Sequence, residues 1–162
     1  GLLDGTKRSY YPDSKINREV SYKNGVLEGK FKIYNYKGVI IEELNFKNGK
    51  KHEECKYFYD EGNPLKIEIW DNGLENGEFK TFFYSGAVVS TANYKNGLKE
   101  GWFIEFYPDL TIKSEALFKK DILIEEHKYD EEGRETYTFG KAVGGKREDD
   151  KAPSADKKRK KE

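Results

Sequence analysis

The sequence predicts an all-β chain, an elongated single-layer antiparallel meander of stacked hairpin repeats with a 24-residue period. Three observations predict it. Asn-Gly recurs at Asn24-Gly25, Asn48-Gly49, Asn72-Gly73 and Asn96-Gly97, always 24 residues apart, with Lys120-Asp121 at the next expected place. A two-residue hairpin turn requires positive φ at both central residues, which Asn and Gly tolerate best. Aromatic columns keep step with these turns, and no window sustains a helical period.

The aromatic two residues before each Asn forms one column: Tyr22, Phe46, Trp70, Tyr94 and Phe118. A glycine column follows each turn at Gly5, Gly29, Gly77 and Gly101, with Glu53 and Glu125 in its gaps. A further aromatic column holds Tyr10, Tyr34, Phe58, Phe82 and Phe106. A second set of turns falls half a period away, at Tyr11-Pro12-Asp13-Ser14, Tyr36-Lys37-Gly38, Asp60-Glu61-Gly62-Asn63, Ser85-Gly86 and Tyr107-Pro108-Asp109. Turn residues every 10 to 12 positions, between short β-branched and aromatic runs, describe successive hairpins.

Within the first strand of a repeat, Phe31, Phe79 and Phe103 fall on one face and Lys32, Lys56 and Lys80 on the other. The second strand alternates too, with Ile40, Leu44 and Phe46 on one face, as are Val88, Ala92 and Tyr94, and Ile112, Ala116 and Phe118. This alternation sets the register. The middle repeat departs from it, because Leu65, Ile67 and Ile69 are apolar on the opposite parity from Trp70. A β-bulge near Pro64 or a locally two-sided strand would account for that. Repeats starting near 5, 29, 53, 77 and 101, with a partial sixth at 125, predict ten or eleven strands over residues 1–140. A sheet of that many strands would be roughly 50 Å long at about 4.8 Å per strand.

Charged residues make up 37% of the chain and apolar residues 35%, a balance close to that of disordered proteins, but 15% aromatic content brings enough buriable surface for a thin fold. The charge is uneven. Residues 141–162 carry nine Lys/Arg against five Asp/Glu, net +4, leaving −4 on residues 1–140. That tail has no aromatic residue and is expected to be a disordered basic end. Its run Lys157, Lys158, Arg159, Lys160 and Lys161 is a candidate contact for anionic lipid or nucleic acid, against the plainer reading of a solubilising end. It lacks the interleaved aromatics on which bases stack, so nucleic acid is not the expected partner.

The single cysteine, Cys55, forms no internal disulfide, and no apolar run is long enough for a spanning helix. A chain that starts at Gly1 and has no Met reads as a trimmed product. A removed signal peptide therefore stays open, and with it cytoplasmic, cell-envelope and secreted locations.

These columns resemble the MORN repeat (membrane occupation and recognition nexus), in its bacterial variant, over residues 5 to about 137. The phrases that carry the resemblance are Tyr94-Lys95-Asn96-Gly97-Leu98-Lys99-Glu100-Gly101 and its continuation Trp102-Phe103-Ile104-Glu105-Phe106-Tyr107-Pro108-Asp109. The resemblance implies a single-layer sheet of hairpins without enzymatic activity, acting in scaffolding, protein binding or membrane association. It also implies an antitoxin label, one often given to bacterial members of this kind. The sequence departs from the pattern at Glu53 and Glu125, which replace glycine, and at Asp121, which replaces the turn glycine.

His52-Glu53-Glu54-Cys55 is the one cluster with the residue types of a catalytic or metal site. A zinc protease motif would need a second His where Lys56 stands. A Cys–His nucleophile would need an orienting third group. Cys55 also falls in the column of Phe31, Phe79 and Phe103, as does His127, so it reads as a small apolar substitute. No catalytic residue, metal, cofactor or small-molecule substrate is expected. The expected partner is another protein, with an anionic membrane surface as the alternative. The candidate binding surface is the aromatic column Tyr10, Tyr34, Phe58, Phe82 and Phe106, since Tyr and Phe are favoured at interfaces.

Overall fold

A computed structural model describes residues 1–140, whose strands form one open antiparallel sheet. The strands are β1 (Gly5–Tyr10), β2 (Ile16–Lys23), β3 (Val26–Tyr34), β4 (Ile40–Lys47), β5 (Lys50–Lys51), β6 (Glu53–Phe58), β7 (Pro64–Asp71), β8 (Leu74–Glu75), β9 (Gly77–Phe82), β10 (Val88–Lys95), β11 (Leu98–Phe106), β12 (Ile112–Lys119), β13 (Ile122–Tyr129) and β14 (Glu135–Phe139). They pair in sequence order, with the two-residue β5 and β8 off the main path beside β4 and β7. The strand count exceeds the expected ten or eleven for two reasons. The last hairpin is complete, and two first strands are broken at His52 and Asn76 into a short and a long piece.

Both turn sets form as their residues dictate. The central pairs of the tight turns have φ of 50° and 82° at Asn24-Gly25 and 51° and 81° at Asn96-Gly97, and Lys120-Asp121 keeps the geometry at 50° and 66°. Positive φ at both positions is what hairpin strands of right-handed twist require. In the half-period turns, a tight backbone bond from Ser14 N to Tyr11 O recurs as Gly38 to Asn35, Gly62 to Tyr59, Gly86 to Phe83, Leu110 to Tyr107 and Gly133 to Asp130. The donor of each is left-handed, and Leu110 holds φ 69° with its side chain exposed. A branched L-residue is strained there, so Leu110→Gly should raise stability by roughly 0.5 kcal/mol or more, read as a higher urea midpoint.

A bulge recurs where each first strand meets its second. Asn17, Ile41, Leu65, Val89 and Lys113 are the extra residues, set by partners such as Tyr57↔Lys66 followed by Phe58↔Pro64. The bulge at Pro64 therefore exists, but it is common to every repeat and does not distinguish the middle one. What does is a two-sided β7, with Glu68 and Trp70 on one face and Ile67 and Ile69 on the other.

A wider bulge follows each tight turn, where Glu28, Gly29 and Lys30 lie opposite Ser21 alone. Here Gly29 has φ 87°, Gly101 has 90°, and Glu53 adopts 62° in the same column, keeping the backbone path without glycine. In β13 this bulge is one residue shorter, Leu117↔Glu125 being followed directly by Phe118↔Leu123. The deletion corrects the expected placement of His127. Glu126 takes the column of Phe31 and Cys55, opposite Ala116, while His127 takes that of Lys32, Lys56 and Lys80. Tyr129 moves into the column of Tyr34 and Phe106.

Candidate interaction surface

Register and alternation define two faces. The first carries a run of packed rings in contact from Trp70 through Phe79, Tyr94 and Phe103 to Phe118, with centroids 4.7 to 5.8 Å apart, and a separate Phe31–Phe46 pair at 6.0 Å. Beneath and between the rings lie the buried side chains Val20, Leu44, Cys55 and Glu68. This face is covered by its own rings, and it holds the stabilising core of a sheet with no second layer among the described residues.

Glu68 replaces the aliphatic residue of its column and is satisfied on all sides. Its Oε2 accepts from Trp70 Nε1 at 3.0 Å, Tyr57 Oη at 3.1 Å and Lys51 Nζ at 3.3 Å, while Lys66 Nζ lies 2.5 Å from Oε1. Burial pushes Glu68 up, yet bonds from Lys66 and Trp70 and the Lys51 charge outweigh it and hold the carboxyl below its ordinary range. Lys51 Nζ also sits 4.6 Å over the Trp70 ring.

His52 and Cys55 have separate structural surroundings. Cys55 is fully buried, and burial pushes its thiol up, away from the nucleophilic thiolate. His52 belongs to a column of acceptors at the edge of the tight turns. Glu28 Oε2 accepts from Asn48 N at 2.7 Å, His52 Nδ1 from Asn72 N at 3.4 Å, Asn76 Oδ1 from Asn96 N at 3.3 Å and Glu100 Oε2 from Lys120 N at 2.9 Å. Alongside, each turn donates to the previous repeat through Gly25 N to Leu3 O, Gly49 N to Leu27 O, Gly73 N to Lys51 O, Gly97 N to Glu75 O and Asp121 N to Lys99 O. The column needs an acceptor, and histidine is one way to supply it. Among the described residues, no group of three or more His, Cys, Asp or Glu side chains is placed to hold a metal ion.

The aromatic column Tyr10, Tyr34, Phe58, Phe82 and Phe106 lies on the second face, beside the half-period turns. Tyr10 is exposed and the other four are half-buried. Their neighbours change along the sheet. In the N-terminal repeats this face carries paired charges: Arg8 with Glu19 at 2.6 Å, Lys30 with Glu43 at 2.7 Å and Lys56 with Glu54 at 2.7 Å. Tyr34 Oη donates to Glu19 at 2.7 Å, and burial together with that carboxylate pushes the phenol up to about 12. From β7 onward the same face gains Ile67, Ile69, Ile104 and Leu117 in positions that the first repeats give to Glu19, Glu43, Ser21, Asn45 and Lys32, while Lys80, paired with Glu78 at 2.7 Å, and Thr91 lie between Ile67 and Ile104. The structure thus adds separate aliphatic residues to the face that carries Phe58, Phe82 and Phe106, and leaves Tyr10 and Tyr34 among charges.

Ile67 and Ile69 are visible in the sequence as an irregularity of strand parity, which does not by itself mark a surface. Also visible there is a 48-residue alternation at the half-period edge. Tyr11, Tyr59 and Tyr107 donate to the carbonyls of Tyr34, Phe82 and Tyr129, and Tyr11 and Tyr59 lie against Tyr36 and Tyr84 of the next repeat. The tail residues Lys157, Lys158, Arg159, Lys160 and Lys161, and the tail assignment 141–162 itself, lie outside the described residues.

Comparison with curated proteins gives no significant match. The pattern of the family described as MORN repeat variant matches residues 3–24, 27–48 and 75–96. The three matches share one phase, each running from the start of a hairpin to the Asn of its tight turn, and the windows between them fold alike. MORN repeats are a non-enzymatic class that generally mediates contacts with proteins or membranes. Three stretches of the chain thus match the MORN repeat variant.

Proposed function

We propose that this chain is a non-enzymatic protein-binding repeat module whose docking surface is the second face of β6 to β12. The observation that carries the reading is the gain of Ile67, Ile104 and Leu117 on the open sheet face that carries Phe58, Phe82 and Phe106, at positions where earlier repeats have charged or polar residues. Apolar side chains interspersed with charge on an open face suit a protein-binding surface. The opposite face supports this by contrast, since its rings already pack on one another. A scaffold that joins two proteins, or an antitoxin that covers a toxin, would each use such a surface.

Photo-crosslinking compares a reactive residue at position 104 with one at position 103, which faces the other way. In cells, position 104 should capture one protein and position 103 should not, and Ile104→Lys on the same face should weaken capture roughly tenfold. Capture of lipid alone at position 104, or equal capture from both faces, would sink the proposal.

A further inference from the structure

Histidine stands in the last repeat where three earlier repeats have lysine. Lys32 lies 3.7 Å from Glu43, Lys56 lies 2.7 Å from Glu54, and Lys80 lies 2.7 Å from Glu78, so this column supplies a permanent cation to nearby carboxylates. His127 keeps the pairing with the residue two positions back, Nε2 to Glu125 Oε1 at 2.6 Å. Its other nitrogen, Nδ1, meets Glu135 on β14. A neutral imidazole has one N–H and one bare nitrogen, which a carboxylate repels; two carboxylates are satisfied together only by the imidazolium.

The groups around His127 come from three strands. From β12, Glu115 is its direct cross-strand partner and accepts Tyr129 Oη at 2.9 Å. From β13 come Glu125 and the Tyr129 ring, stacked on the imidazole. From β14 comes Glu135. In the turn between β13 and β14, Arg134 is engaged with Asp130 and Glu132, both at 2.8 Å. β14 is the terminal strand of the described sheet, exposed at all five residues and paired on one side only, with β13.

We infer that His127 makes the docking of β14 pH-dependent: the imidazolium ties Glu125 of β13 to Glu135 of β14, and its neutralisation releases β14 and uncovers the edge of β13. His127 is raised above its ordinary 6.5, first by the Glu125 bond and then by Glu135. A raised value means that the docked state binds the proton more tightly. Glu125 stays beside the imidazole on the same strand when β14 leaves, so the Glu135 bond is what distinguishes the two states; its contribution is present while the ring is charged and is lost as pH rises through the docked value. Glu135 is lowered from 4.5, by Thr138 and then His127, so the contact also weakens in acid, as pH falls below 4.5 through that lowered value.

The test is amide-exchange protection by NMR on the full chain from pH 5.5 to 9, with β4 as internal reference. In the native sequence, protection of Glu135–Phe139 relative to β4 should fall roughly tenfold, in step with the His127 ring titration. His127→Lys, which restores the residue of the earlier repeats, should hold β14 throughout, and His127→Gln should leave it weakly protected at every pH. A native profile as flat as that of His127→Lys, or a ring titration with constant β14 protection, would overturn the inference. The second of these is read on the native chain alone, whatever the variants do.

Discussion

Gly97→Val is expected to lower folding stability by about 2 kcal/mol or more. Gly97 holds φ 81° at the second position of a tight turn, where a β-branched L-residue meets its own backbone. A Cβ there would also stand 3.4 Å from Leu74 Cδ2 of the preceding repeat, and the Gly97 N–H donates to Glu75 O at 2.8 Å. The substitution thus strains a turn and loosens a link between repeats. Gly97→Asn should cost less, because Asn tolerates left-handed backbone and Asp121 occupies the equivalent position at φ 66°. Urea unfolding measures both, and a Gly97→Val midpoint equal to that of the parent would refute the requirement for positive φ.

Glu68→Ala is expected to cost about 3 kcal/mol. One buried carboxylate serves four donors, from Lys51, Tyr57, Lys66 and Trp70, and its removal leaves two lysines facing each other over aromatic rings. Because its pKa is lowered, the charged form contributes stability above about 4.5 that is lost as pH falls through the folded value. Glu68→Gln should accordingly melt below the native chain at pH 7, with the gap narrowing as pH falls below about 4.5. A constant gap would mean that the carboxylate charge is not what matters. Since repeats contact mainly their neighbours, the loss should be felt most in β6 to β9.

Much of the fold was legible in the sequence because it depends on local chemistry repeated in phase. Asn-Gly pairs, the glycine column and period-two alternation each act within a few residues, and five copies leave little room for another register. Less of the surface was legible. The aromatic column Tyr10 to Phe106 could be seen, but its face could not be tied to Ile67, Ile104 and Leu117, because that depends on which strands pair across bulges. His127 was misplaced by one residue for the same reason. A deletion inside a wide bulge leaves no mark in a column count, yet it reverses the face of every residue after it.

The sequence by itself determined the period, the turn type, the all-β class and the MORN repeat, since each follows from residues that select their own φ and alternate in polarity. Only the tertiary structure decided that His52 caps a turn, that Glu68 is buried among four donors, and that His127 faces two carboxylates. Those facts depend on neighbours as far as 20 residues away being brought alongside by pairing, which local preference does not specify.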